Sequence, residues 1–242
     1  MIREHFEFRE TITTILADDE EYIATGKEAM ISARQSVERQ ILADPFFAST
    51  FEPYDPGNSD PVIRRMVRAA AAAGVGPMAA VAGTIAWSGT EAMMDSGASF
   101  AVIDNGGDIA ILTDRDFLIG IYAGSSAFSS KIAFRIMPQD RILGICTSSA
   151  TVGHSISLGT ADSVTVISRD VSSADAYATA ICNTIGYNDT GALDRADDDQ
   201  ICGILAITGD KLMKKGNLPR IVRASVNEDL ITAGKYPDGT IF

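Results

Sequence analysis

The sequence predicts an α+β fold in which a mostly antiparallel sheet packs against helices. Three observations predict it. Helical signals recur in separate segments between Lys27 and Met94, on either side of a loop at 48–60. After Gly97 the texture changes to short apolar or alternating runs separated by turn formers. Helices are therefore clustered early and strands late, which favours α+β over an alternating parallel sheet. No internal repeat, low-complexity tract or linker interrupts residues 1–242, so one domain is expected.

Residues 5–16 alternate roughly, with Phe6, Phe8 and Ile12 on one side, and read as an opening strand. From Lys27 to Ala43 a helix follows, its stripe being Met30, Ala33, Val37 and Ile41, and Pro45 ends it. The segment 48–60 holds two prolines and several turn formers and reads as a loop. Asp60–Pro61 then gives an N-cap followed by proline at the first helical position, and Gly74 closes that helix. Gly76–Pro77 repeats the start signal. The small residues after it (Ala79, Ala80, Ala82, Gly83, Ala86) let a neighbouring backbone approach closely.

Five strands are expected in SFAVID, DIAILTD, FLIGIYAG, SKIAFRIM and RILGICTS, with a tight turn at Asn105–Gly107 between the first two. A further strand is expected at 163–168, a helix at about 172–186 and another strand at 203–209. The basic stretch RIVR at 220–223, after KKGNLP, reads as a solvated turn between strands.

The formal net charge of −12 argues against nonspecific binding to nucleic acid or to an anionic membrane. Cys146, Cys182 and Cys202 are odd in number, dispersed and set among apolar residues, as expected of buried reduced thiols. The opening MIREHFEFRE lacks the apolar run of a signal peptide, so a cytoplasmic location is expected. The run at 69–87 is rich in alanine and broken by glycines and Pro77, which suits a buried helix pair better than a membrane span. No GxxxxGK[ST] loop and no GxSxG elbow occurs.

Three clusters can carry chemistry. In GICTSSATVGHSIS (144–157), Thr147, Ser148, Ser149 and the backbone of Gly153 can cradle an anionic oxygen. His154 within it is a candidate for proton movement. No lysine or arginine lies between Arg141 and Arg169, so a bound phosphate here needs a counter-charge from elsewhere. A sharp strand-to-loop transition whose serines satisfy the backbone explains the same composition.

In SSADAYATA (172–180), Asp175 and Thr179 stand four apart and share one helix face. Their oxygens suit Mg²⁺. Ser172 as N-cap with Asp175 three residues on is an equally simple reading. In VIDNGGDIAI (102–111), Asp104 and Asp108 flank a turn where Gly106 and Gly107 permit close approach of a ligand, or merely close a hairpin.

The order of these pieces is distinctive. GVGPMAAVAG, DNGGD, GICTSSATVGHSIS, ADSVTVIS and SSADAYATA, with DPFF near 44–47 and AGSS near 123–126, resemble an ApbE-like family related to the flavin transferase ApbE. The resemblance covers nearly the whole chain. It implies a fold related to the T-fold and, by analogy with ApbE, transfer of FMN from FAD to a protein threonine or serine with Mg²⁺. The GGD turn is matched by Gly106, Gly107 and Asp108, the metal-binding helix start by Ala174, Asp175 and Thr179, and the histidine by His154.

Two ApbE segments are not matched. GPMAAVAG stands where ApbE has K-G-Y-x-x-D, and SISLGTAD where it has D-P-x-T-G. The family's TSSG appears here as Ser148–Ser149–Ala150 after Thr147.

Two functional expectations stay open. One is an enzyme that binds FAD or a related phosphate ligand with Mg²⁺ and transfers FMN or cleaves the diphosphate. The other is a non-catalytic ligand-binding or accessory protein, with sulfide assimilation or sulfur transfer as the role the resemblance suggests. The resemblance also implies a homodimer and, for a transferase, a protein acceptor. A third, purely structural reading assigns the small-residue helices to subunit packing.

Overall fold

In the computed structural model, residues 1–150, 159–186, 191–195, 199–227 and 230–232 are described. They form three layers: helices, an eight-stranded sheet and a three-stranded sheet.

The chain opens with β1 (Ile2–Phe8) and β2 (Thr11–Ala17), which pair antiparallel. The single strand expected over 5–16 is thus a hairpin. Phe8 pairs with Thr11, and Arg9 supplies the turn at φ 56 without a glycine or asparagine to announce it. Helix α1 (Glu20–Ala43) starts earlier than the apolar stripe implied, because Asp19 caps it by accepting from the Glu21 amide. A short α2 (Phe46–Ser49) follows Pro45.

Helix α3 (Pro61–Ala73) carries all of its predicted signals. The Asp60 carboxylate accepts from Val62 N at 2.9 Å, Pro61 occupies the first turn, and Gly74 ends the helix at φ 72. A 3₁₀ turn, Pro77–Ala80, leads into α4 (Val81–Asp95). No single helix among the described residues is long and apolar enough to cross a membrane, and the axes of Pro61–Ala73 and Pro77–Asp95 meet at 107°.

Strands β3 (Ala101–Asn105), β4 (Asp108–Thr113), β5 (Phe117–Gly120), β6 (Ile132–Ile136) and β7 (Gln139–Ser148) follow. Then come β8 (Ser163–Ser168), α5 (Val171–Thr184), β9 (Ile201–Thr208), β10 (Lys211–Gly216) and β11 (Arg220–Arg223). The large sheet runs β1-β2-β3-β4-β7-β8-β9-β10 and the small one β11-β6-β5, with every neighbouring pair antiparallel. RIVR is therefore a strand, not a turn. Its Ile221 packs into the apolar layer between the sheets while Arg220 and Arg223 stay exposed.

Alternation along the strands divides the core. Ile15, Ile103, Ala110, Cys146, Val164 and Val166 pack against Ile23, Met30, Ile85 and Met93 of α1 and α4. Leu16, Val102, Ile111, Ile145 and Leu205 point the other way, onto Ile119, Phe134 and Ile136 of the small sheet. Strand β8 is covered on both faces, which explains why SVTVIS is buried at every position.

Candidate functional site

The β3–β4 hairpin turns on Gly106 and Gly107, both at positive φ (68° and 102°), so that Asn105 pairs directly with Asp108. A two-residue turn of this hand needs residues that tolerate positive φ, which is the physical content of the NGG signal. Asp104 fixes the turn from one side by accepting from Gly107 N at 2.8 Å. Its other oxygen accepts from Thr232 Oγ1 at 2.6 Å, and Thr232 Oγ1 also lies 2.9 Å from Thr14 Oγ1. The Thr147 amide donates to Gly107 O at 3.1 Å, tying the turn to the end of β7.

Across β4 and β7 Asp108 pairs with Cys146, whose thiol donates to Val171 O at 3.6 Å. Cys146 packs on the helix face of the sheet, where α5 brings Asp175. Asp175 is 7% exposed, and its Oδ2 accepts from Gly83 N at 2.8 Å, with the Ala82 amide a second donor. Helix α4 has no cap of its own, since Ala80 stands at that position. Asp175 supplies one from another helix. The Asn105 amide completes the contact by donating to Ala82 O at 3.0 Å.

This arrangement requires glycine at 83. A Cβ there would lie 2.8 Å from Asp175 Cβ and 2.9 Å from Val171 O, closer than atoms pack. Thr84 Oγ1 and Ser172 Oγ, 2.7 Å apart, add a second link between the two helices. Ser172 is therefore not the N-cap of α5. That role belongs to Asp170, which accepts from Ser173 N at 2.8 Å and pairs with Arg68 of α3.

The electrostatics follow from placing carboxylates close together with no cation beside Asp108 or Asp175 among the described residues. Burial raises Asp175 to about 7, against the lowering effect of the Gly83 and Ala82 amides. Burial pushes Asp108 well above the ordinary carboxylate range, and repulsion from Asp175 and Asp104 adds to it; the Cys146 thiol and Thr147 amide offset only part. Asp104 is also raised by burial, with Thr232, Gly107 and Arg3 pulling the other way. Burial pushes the Cys146 thiol well up too, and the two nearby aspartates push it further, which favours the protonated thiol over the thiolate.

The structure brings Gly106, Gly107, Asp108 and Asp175 into one neighbourhood. Ser148 is buried on the same side of β7 as Cys146. Thr147 sends its hydroxyl to the opposite side, 2.8 Å from Thr165 Oγ1, and meets the turn through its amide. Ser149 is half-buried beyond the end of β7. Thr179 lies one helical turn past Asp175, half-buried, and no hydrogen bond joins it to the cluster among the described residues. Gly153 and His154 lie outside the described residues. Two surface clefts, of about 630 and 500 Å³, are lined by other residues.

Sequence reasoning missed the Gly83 and Ala82 amides as donors, Cys146 as the partner of Asp108, and Thr232 as the partner of Asp104. Each depends on pairing between segments distant in the chain, for which only the small-residue character of 79–86 gave any local signal.

The helices, the mostly antiparallel sheets and the hairpin beside the capped helix define an ApbE-like fold. The flavin transferase ApbE from Vibrio cholerae has the same architecture, with a TM-score of 0.60 and 13% identity over 89% of this chain and 96% of that one. The chain belongs to the UPF0280 family: a family model described as AbpE bacteria matches residues 3–225. It is 60% identical to a UPF0280 protein of Methanoculleus marisnigri over 97% of this chain and 96% of that protein. It is 54% identical to one of Methanosphaerula palustris over 97% and 99%.

Proposed function

We propose that this ApbE-like protein binds a flavin nucleotide or similar phosphate ligand together with Mg²⁺ and acts at the ligand's diphosphate, transferring FMN or cleaving the bond. The observation that carries the reading is the pair of neighbouring carboxylates, half-buried Asp108 and buried Asp175, which no cation among the described residues offsets. Two such groups destabilise each other when ionised, and a hard divalent cation relieves both costs while using the donor atoms it prefers. Carboxylate and hydroxyl oxygens are the donor types such an ion takes.

Among the described residues no three His, Cys, Asp or Glu side chains converge on one point. The ion would therefore draw on Asp108, Asp175 and the Thr179 hydroxyl and complete its shell with water and phosphate oxygens, the way Mg²⁺ is commonly held. When bound, it supplies positive charge to phosphate oxygens as a bond to phosphorus breaks. Around it, the Gly106–Gly107 turn allows the ligand close to the backbone, and Ser148 and Ser149 offer hydroxyls; by resemblance alone, His154 is the candidate for moving a proton.

The accessory reading has one observation in its favour. The stretch opposite Asp175, Gly76 to Gly83, carries no lysine or other charged side chain, so the protein's own contribution there is limited to helix amides. Incubation with FAD and Mg²⁺, followed by chromatography for FMN and AMP, separates the two. Asp175→Asn keeps an oxygen for the Gly83 amide but loses the charge, and is expected to lower product formation by roughly 10²–10³-fold. Undiminished product in that folded variant would exclude the metal role. Tight FAD binding by the unaltered protein, with no product over hours, would select the accessory role.

A further inference from the structure

The larger surface cleft lies on the opposite side of the eight-stranded sheet from Asp108 and Asp175. It is lined by Ala127, Phe128, Lys131, Ile132, Arg223, Ala224 and Ser225. Phe128 and Ile132 also pack against the apolar layer between the two sheets, so the cleft opens at the mouth of that layer. Its charged residues are both cations. In a chain with 32 acidic and 20 basic residues, a cleft with two cations and no carboxylate runs against composition.

Several other cations are neutralised locally: Arg34 by Glu10 and Glu38, Arg65 by Glu91, Arg115 by Asp18 and Asp114, Arg135 by Asp116. Among the described residues no carboxylate pairs with Lys131 or Arg223. Among the described residues the Lys131 ammonium donates to Ala127 O, at 3.0 Å.

The backbone holds the two cations in a fixed relation. Arg223 is in register with Ile132, and Ala224 N and Val226 N donate to Lys131 O and Ser130 O at 2.9 Å each. Ser130 takes a left-handed conformation, φ 58, with its amide 3.0 Å from Ile121 O, which turns the chain sharply just before Lys131. A non-glycine residue held at positive φ is a local cost that the surrounding bonds sustain. Rigid presentation lowers the ordering penalty of binding.

We propose that this cleft is a second binding site, separate from the carboxylate cluster, for a small soluble aromatic anion. The planar body of such a ligand covers Phe128 and Ile132, and its phosphate or carboxylate lies between Lys131 and Arg223. Guanidinium and ammonium groups gain most from an anion when an apolar wall excludes water beside it. A bilayer would present its extended anionic surface to the whole chain of net charge −12, whereas a small anion meets mainly the local pair of cations, so a free molecule is the occupant proposed.

The test uses 1-naphthyl phosphate, with neutral 1-naphthol as its uncharged counterpart, titrated into the full chain and read by fluorescence anisotropy. The phosphate is expected to bind about tenfold more tightly than the naphthol, and Arg223→Gln and Lys131→Gln are each expected to remove most of that difference. Asp175→Asn reports on the other face of the sheet and is expected to leave naphthyl phosphate binding intact. Equal affinity for the two probes, absence of binding, or a loss confined to Asp175→Asn overturns the proposal. So does sedimentation with phosphatidylglycerol vesicles that depends on Arg223.

Discussion

Helix α5 begins after Asp170, whose own carboxylate takes the Ser173 amide, whereas α4 begins after Ala80, which offers no side-chain acceptor. The free amides of α4 are met by Asp175, ninety-two residues away from Gly83 in the chain. Both helix starts satisfy the same electrostatic demand. The first does so within one turn of sequence, and the second only after two helices have docked. The difference shows why Asp175 can serve two purposes: it closes a helix end, and it brings a buried carboxylate up to Asp108, where a local cap would have stayed at its own helix.

The comparison can be broken most severely at Gly83. Gly83→Ala places a methyl against Asp175 and Val171 O, and is expected to cost roughly 1–3 kcal/mol through overpacking, read as a lower urea midpoint. An unchanged midpoint would mean that α4 and α5 are not held as closely as described. Asp175→Ala removes the borrowed cap and is expected to cost about 2 kcal/mol, while Asp175→Asn, which keeps an acceptor, costs less than half as much.

The same carboxyl gives a pH signature. Its folded value of about 7 lies above the ordinary 3.8, so between those two values the folded chain holds a proton that the unfolded chain has released. Stability therefore falls as pH rises from 3.8 to about 7 and levels off above, with Asp108 and Asp104 acting in the same direction. Urea titrations across that range should show the decline, and Asp175→Asn should flatten it. Added Mg²⁺ should oppose the decline in the unaltered protein if the ion binds there.

The smallest effect belongs to the local cap. Asp170→Ala is expected to cost about 1 kcal/mol. Its ion-pair partner is largely exposed, so Arg68→Ala should cost less than about 0.5 kcal/mol. If Asp170→Ala proved more damaging than Asp175→Ala, the local and the borrowed cap would have been ranked in the wrong order.

Much of the fold was legible because its signals are short-range. Asp60–Pro61 and Gly74 bounded α3, Asn105–Gly107 located the hairpin, and SVTVIS matched β8 at both ends. The first hairpin was not legible: Arg9 carries its positive φ without a residue type that favours it. RIVR was misread because four residues with charged ends look like a turn until Ile221 finds the layer between the sheets.

For the site, the residue types and the hairpin were readable, and Asp108 and Asp175 stood out as carboxylates within them. Their meeting was not. Sequence by itself determined which segments could be helices or strands, where the two-glycine turn lay, and which carboxylates stood near glycines and hydroxyls, since propensity and turn chemistry act over a few residues. Only the tertiary structure decided that Asp175 faces Gly83, that Cys146 stands beside Asp108, and that Lys131 and Arg223 share a cleft. Those relations come from strand order and helix docking, where packing of the whole core selects one arrangement among many that the local signals allow.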